Sequence, residues 1–179
     1  MGHIRNTTAV RRWATVAAGM AVAMVVTAPA AQAAPASTGE EHCVVVLDKL
    51  RPGETTSRVV SRQCADTPEA ARQKHQEAYA GAAAATLLLT LYADINYGGA
   101  STVLEGNAGA CDTAGYGFRD LGSWRNRISS FKRFNWCQRV QGFDLVNYGG
   151  AAYGPWTTDT PWVGSAANDR IDSLQTRRL

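Results

Sequence analysis

The chain has 179 residues, 45% of them hydrophobic and 18% charged, which is enough for one domain with additions. Its formal charge of +3 comes from 18 basic against 15 acidic residues, and three of the basic ones, Arg5, Arg11 and Arg12, lie in an acid-free leader. The remainder carries 15 against 15, so no basic field argues for a nucleic acid or a membrane surface as partner.

Residues 1–33 read as a secretory signal peptide: the three arginines, an apolar run from Trp13 to Ala28, and Ala31-Gln32-Ala33 as a small-residue cleavage site. Thr15, Gly19, Thr27 and Pro29 interrupt a run already short for a bilayer, so the expectation is export, an extracellular location and no membrane attachment after cleavage. Four cysteines follow: Cys43, Cys64, Cys111 and Cys137. An even count in an exported chain implies two disulfides with three possible connectivities, of which the sequence-local pairs Cys43–Cys64 and Cys111–Cys137 are favoured. None of these spacings is that of a zinc site, and His42 and His75 are the only histidines beyond the leader.

Residues 34–85 form a separate stretch. Ala34 to Glu41 is a small, polar tail. His42 to Leu50 and Thr55 to Cys64 are β-favouring runs around Arg51-Pro52-Gly53-Glu54, and a type II′ turn centred on Gly53-Glu54 would set Cys43 opposite Cys64. A helix then starts at Asp66, read as an N-cap with Glu69 three residues on and Pro68 in the first turn; it runs to Tyr79, with Gly81 at the C′ position. The featureless run Ala82 to Ala85 is taken as a domain boundary. Whether residues 34–85 are a propeptide, an intramolecular brace or a small module stays open.

From residue 86 the pattern is all-β. Leu87 to Tyr92, Ala100 to Leu104, Ile128 to Phe134, Arg139 to Asn147 and Ile171 to Arg177 are strands between Gly-, Asn- and Asp-rich turns, the pattern of a two-sheet antiparallel sandwich. The stretch says the same thing twice. Tyr92-Ala93-Asp94-Ile95-Asn96-Tyr97-Gly98-Gly99 returns as Phe143-Asp144-Leu145-Val146-Asn147-Tyr148-Gly149-Gly150, and Asn126-Arg127-Ile128-Ser129-Ser130 returns as Asp169-Arg170-Ile171-Asp172-Ser173. Two such copies, about 87–135 and 138–179, bury one shared core. Paired aromatics five residues apart would fold over a hairpin corner, with Gly99 and Gly150 supplying backbone freedom and Ile128 and Ile171 lying inside.

Those openings resemble the signature of a βγ-crystallin Greek-key motif, and Trp124-Arg125-Asn126-Arg127-Ile128-Ser129-Ser130 and Asn168-Asp169-Arg170-Ile171-Asp172-Ser173 resemble degenerate copies of its closing signature. The placement of Cys111 and Cys137 is similar to that of secreted actinobacterial members. The resemblance implies an all-β fold of two Greek-key motifs in a βγ-crystallin-like sandwich over residues 86–179, preceded by the disulfide-stapled hairpin and helix. It also implies calcium as cofactor, held between the closing loops by Asn126 and Ser129 from one and by Asn168, Asp169 and Asp172 from the other. Hard oxygen donors of these types suit that ion. Two departures stand out: Arg125 occupies a position where the family has Asn or Asp, and Asp172 one where it has a hydroxyl, so one competent and one weakened site are expected. The bland alternative is that these residues are turn caps that bind nothing.

The leading expectation is a secreted calcium-binding structural or binding protein. A second, from the same resemblance, is an inhibitor of a secreted protease, of the streptomycete metalloproteinase-inhibitor type, using the Asn107–Gly117 or the Trp156–Trp162 loop. An enzyme is not expected: the β domain has no histidine for a Ser/His or Cys/His pair, and nothing brings the carboxylates Glu105, Asp112 and Asp120 together. Trp124, Trp136, Trp156 and Trp162 are read as core rings in preference to a carbohydrate-stacking face.

Overall fold

The computed structural model describes residues 41–80 and 83–179. The signal peptide, the tail before Glu41 and the C′ role of Gly81 lie outside the described residues. The strands are β1 (His42–Leu47), β2 (Val59–Ala65), β3 (Thr86–Tyr92), β4 (Ser101–Gly106), β5 (Tyr116–Phe118), β6 (Ser130–Arg133), β7 (Arg139–Phe143), β8 (Ala152–Trp156) and β9 (Ser173–Arg177), with one helix, α1 (Pro68–Ala78). They form two sheets, ordered β2-β1-β4-β3-β6 and β5-β9-β7-β8.

The two copies interlock. The first contributes β3, β4 and β6 to one sheet and sends β5 across to pair with β9. The second contributes β7, β8 and β9 to the other sheet and sends Thr160 back to bridge Phe131 of β6. The first copy thus lends a strand to its neighbour's sheet and the second returns a single bridge, the interlocking of a Greek-key sandwich. Between the sheets lie Leu89, Leu91, Leu104, Trp124, Phe131, Val140 and Leu174, with Ile128 and Ile171 at 1% and 2% exposure. The core role of the two isoleucines follows from their equivalent places in the repeat.

Two strands escape the sequence reading. β5 is three residues, Tyr116-Gly117-Phe118, and β8 contains Gly154 and Pro155, which together read as a turn. Pro155 is tolerated because β8 is a sheet edge, where a missing N–H costs no ladder bond. Conversely, β7 ends at Phe143 and not at Asn147, because the chain turns into a corner there, with Asn147 at φ 57°.

The hairpin is more than an appendage. β1 pairs antiparallel with β2 and parallel with β4, so it is a central strand of the first sheet. Every residue of β1 is buried, which is why Val44-Val45-Val46-Leu47 is an unbroken apolar run: a strand covered on both faces need not alternate. The described residues all fall in one compact unit.

Cys43 pairs with Cys64 in register and is bonded to it, with a Cα separation of 4.1 Å; Cys111 is bonded to Cys137 at 5.0 Å. The turn differs from expectation. Glu54 N–H donates to Arg51 O (3.0 Å) and Gly53 has φ 87°, so Pro52 and Gly53 are the central residues of a type II turn. The Cys43–Cys64 register does not hang on that turn: the paired stretch ends at Leu47 and Val59, with a one-residue shift between Val46 and Leu47, and the turn lies beyond it.

The helix start is also corrected. Thr67, not Asp66, is the N-cap, and its hydroxyl accepts from Ala70 N–H (3.1 Å). Pro68 explains this. A proline at the first helical position forces the preceding residue into the extended region, and Thr67 at φ −136°, ψ 152° is therefore the last non-helical residue.

Candidate functional site

The two aromatic corners are built alike. Tyr92 and Tyr97 meet edge to face with ring centroids 5.7 Å apart, and Phe143 and Tyr148 do so at 5.5 Å. Asn96-Tyr97 and Asn147-Tyr148 all lie at positive φ, and so do Gly99 and Gly150. A Cβ on Gly99 would sit 2.6 Å from Asp94 Oδ2. Each corner is latched by a fully buried serine. Ser130 Oγ donates to Asp94 O (2.6 Å) and accepts from Tyr97 N–H (3.0 Å); Ser173 Oγ donates to Leu145 O (2.6 Å) and accepts from Tyr148 N–H (3.0 Å). The last serine of each closing signature is therefore a structural tie.

The closing loops lie side by side and exchange hydrogen bonds reciprocally. Asn126 N–H donates to Ile171 O (3.2 Å) while Asp169 N–H donates to Ile128 O (3.3 Å). Leu121 N–H donates to Asp172 O (3.0 Å) while Val163 N–H donates to Ser129 O (2.9 Å). The corners join in: Asn96 N–H donates to Pro161 O (2.8 Å) and Asn147 N–H to Arg119 O (2.7 Å). An approximate two-fold axis thus runs between the loops and equates Asn126 with Asp169, Ser129 with Asp172, and Arg125 with Asn168. Asn126 and Asp169 share φ 56°, a left-handed conformation that Asn and Asp tolerate best.

All five sequence-derived candidates lie on these loops; Asn126 takes part through its backbone bond to Ile171, and the other four fall in two places. In one, the Asp169 carboxylate accepts from Asn168 Nδ2 (2.7 Å) and lies 3.5 Å from the buried Ser129 hydroxyl, so three oxygen-bearing side chains from both loops meet at one place. In the other, Asp172 is 9% exposed and its Oδ1 is buried without a hydrogen-bond partner. Burial pushes the Asp172 carboxyl above the usual carboxylate range; Arg125 pulls it back, and Asp120 and Asp144 push it up further. Asp120 and Asp144 were invisible as neighbours of Asp172 in the sequence. Arg125 reaches Asp120 (3.4 Å) and Gly122 O (3.3 Å), and Arg170 reaches Asp144 (3.3 Å).

Other expectations resolve around this site. Glu41 lies with Cys43 and Cys64 in a grouping of metal-ligand types, but both sulfurs are committed to their disulfide and offer no thiolate. Glu105 pairs with His75, Asp112 with Lys49 and Asp120 with Arg125, so the three carboxylates do not form a pair with one another. Trp124 is fully buried and Trp156 packs edge to face on Phe131, whereas Trp136 and Trp162 are 58% and 53% exposed. Loop 107–117 is drawn inward, with Cys111 and Tyr116 buried and the Tyr116 hydroxyl donating to Gly109 O (2.7 Å). Ala108, Thr113 and Ala114 of the same loop are exposed. Among the described residues no helix is long and apolar enough to cross a membrane.

No family model matches the chain, and no curated protein does. Among solved structures it is similar to a βγ-crystallin domain from Clostridium beijerinckii, with 29% identity over 50% of this chain and 97% of that one at a TM-score of 0.40. It is also similar to a double mutant of clostrillin in complex with nickel, with 28% identity over 53% of this chain and 99% of that one at a TM-score of 0.40. An archaeal βγ-crystallin shares 20% identity over 51% of this chain and 98% of that one at a TM-score of 0.38.

Proposed function

Residues 86–179 form a βγ-crystallin-like pair of Greek-key motifs, and from that premise we propose that the chain is an exported structural or binding protein braced by calcium. One observation carries the reading: two oxygen-rich loops from different copies are hydrogen-bonded to each other, so that Ser129 of one meets Asn168 and Asp169 of the other. The donors fit the ion. Carboxylate, amide and hydroxyl oxygens are the hard ligands calcium takes, and one side-chain oxygen of Asp172 is buried with no hydrogen-bond partner. Asn168, Asp169 and Ser129 would hold the ion in one half of the site, with Asn126 and Asp172 in the other. Bound calcium would supply positive charge and a cross-link between the two copies.

Few protein ligands, completed by water, place the affinity in the weak extracellular range of about 10⁻⁴–10⁻³ M. At ten times that dissociation constant the fold gains about 1.4 kcal/mol per ion, which raises the melting temperature by roughly 4 °C for a chain of this size. This is a bracing role and asks for no catalysis. Calorimetric titration of calcium into the mature protein is the test. A saturable isotherm that Asp169→Ala and Ser129→Ala weaken supports the reading; a flat isotherm with an unchanged melting temperature removes calcium and leaves the scaffold. Export is tested separately by sequencing the amino terminus of protein recovered from the medium, with Ala34 as the expected first residue.

A further inference from the structure

Away from the closing loops, β7 and β9 of the second sheet set two arginines against each other. Arg139 pairs in register with Arg177, and two residues along the same face Gln141 pairs with Gln175. Like charges directly opposite one another on neighbouring strands destabilise a sheet. Arg58, Arg133 and Arg170 are each matched by an aspartate, but among the described residues no carboxylate lies within ion-pairing distance of Arg139 or Arg177. Arg139 makes one long contact, Nη2 donating to Gln141 Oε1 (3.4 Å), which leaves most of its five N–H donors unused.

The pair does not stand on open surface. The connection between β1 and β2 lies along β5, and together they enclose a cleft of about 250 Å³ lined by Arg139, Gln141, Gln175 and Arg177 from the sheet and by Leu50, Glu54 and Thr55 from the connection. A glycine permits that approach: a Cβ on Gly117 would sit 2.2 Å from Thr55 O. The cleft therefore exists because residues 41–80 dock on the second sheet. Its charges select what fits. Two guanidinium groups against the single Glu54 carboxylate leave one positive charge in excess, which one carboxylate neutralises. The planar fork of a guanidinium matches a carboxylate bidentately. The two glutamine amides beside the arginines offer both donors and acceptors, as hydroxyl groups next to an acid require. The volume lies just under the range of about 300–1,000 Å³ that holds drug-sized ligands, so the occupant is of monosaccharide size.

We infer that this cleft binds a small hydroxylated carboxylic acid, its carboxylate bridging Arg139 and Arg177 and its hydroxyl groups held by Gln141 and Gln175. Calcium has no part in it. The test is calorimetric titration of sodium glucuronate into the mature protein, with glucose and sodium sulfate as comparisons, at fixed ionic strength in calcium-stripped buffer. The expected result is saturable glucuronate binding and none of glucose. Arg139→Gln and Arg177→Gln should each weaken that binding by about tenfold or more, and Glu54→Gln, which removes the opposing charge, should tighten it. Without ligand Arg177→Gln should melt no lower than the wild type, because the like-charge opposition is relieved, so its loss of binding is not a loss of fold. Glucuronate binding that is absent, equalled by glucose, or undiminished in the Arg139→Gln, Arg177→Gln double variant overturns the inference. Sulfate binding more tightly than glucuronate overturns the choice of a carboxylate.

Discussion

At the level of single residues the closing signature divides its labour. Ser130 and Ser173 have no exposure and each closes two hydrogen bonds of a corner, whereas Ser129, one position earlier, makes only a long contact to Asp169. Removing the Ser173 hydroxyl leaves Tyr148 N–H and Leu145 O without their partner in the interior, so Ser173→Ala should cost about 2 kcal/mol in urea unfolding. Ser129→Ala in calcium-free buffer should cost well under half of that, and equal losses would contradict the assignment. A sequence shows that both serines recur, but a hydroxyl's direction depends on the turn opposite it.

Tyr116 gives the residue scale a pH dependence. Burial pushes its phenol up to about 12, with Asp112 and Asp48 adding to the effect. An acid whose folded pKa is raised holds its proton more tightly in the folded state, so its contribution is intact below the unfolded value of about 10 and is lost as pH climbs from there to about 12. The stability difference between wild type and Tyr116→Phe should therefore shift against the wild type across that interval. A difference that stays level throughout would show that Tyr116 ionises freely in the folded chain.

Among the elements, local chemistry was legible wherever it was self-contained. The opposition of Cys43 to Cys64 follows from the spacing of two β-favouring runs, and the helix from its capping residues. The missed details are ones that neighbours decide. Pro68 moved the cap by one residue, and Thr67→Ala should cost about 1 kcal/mol while Asp66→Ala costs only a few tenths, by chemical denaturation; the reverse order would restore the earlier placement. β5 and β8 lacked a strand-like pattern because short edge strands are specified by their partners, β9 and β7, more than by their own residues.

For the whole molecule, the unexpected feature is how residues 41–80 close the sandwich. β1 covers the edge of β4 in the first sheet. The connection after it lies along β5, the edge of the second sheet, where Ser57 N–H donates to Gly117 O (2.8 Å) and Gly117 N–H donates to Ser57 Oγ (3.1 Å). A single segment seals one side of both sheets, while α1 packs on β1 and β2 and places His75 3.3 Å from Glu105 of β4. Open edges invite pairing between chains. Residues 86–179 produced alone should therefore self-associate, read by light scattering after size exclusion, while the mature chain stays monomeric under the same conditions. A monomeric, equally stable fragment would show that the segment is dispensable.

The amino-acid sequence by itself determined what is repeated and local: two corners, two closing loops, a hairpin and a helix, with two disulfides whose local pairing it favoured. These rest on periodicity, turn chemistry and cysteine spacing, which act within a few residues or recur at a fixed offset. Only the tertiary structure decided that β1 enters the first sheet parallel to β4, that β5 of the first copy and Thr160 of the second cross to each other's sheets, and that Asp120 and Asp144 act on the Asp172 carboxyl together with Arg125. Such pairings join residues far apart in the chain. They depend on which edges and charges remain unsatisfied once the local pieces have formed, and that is a property of the assembled fold.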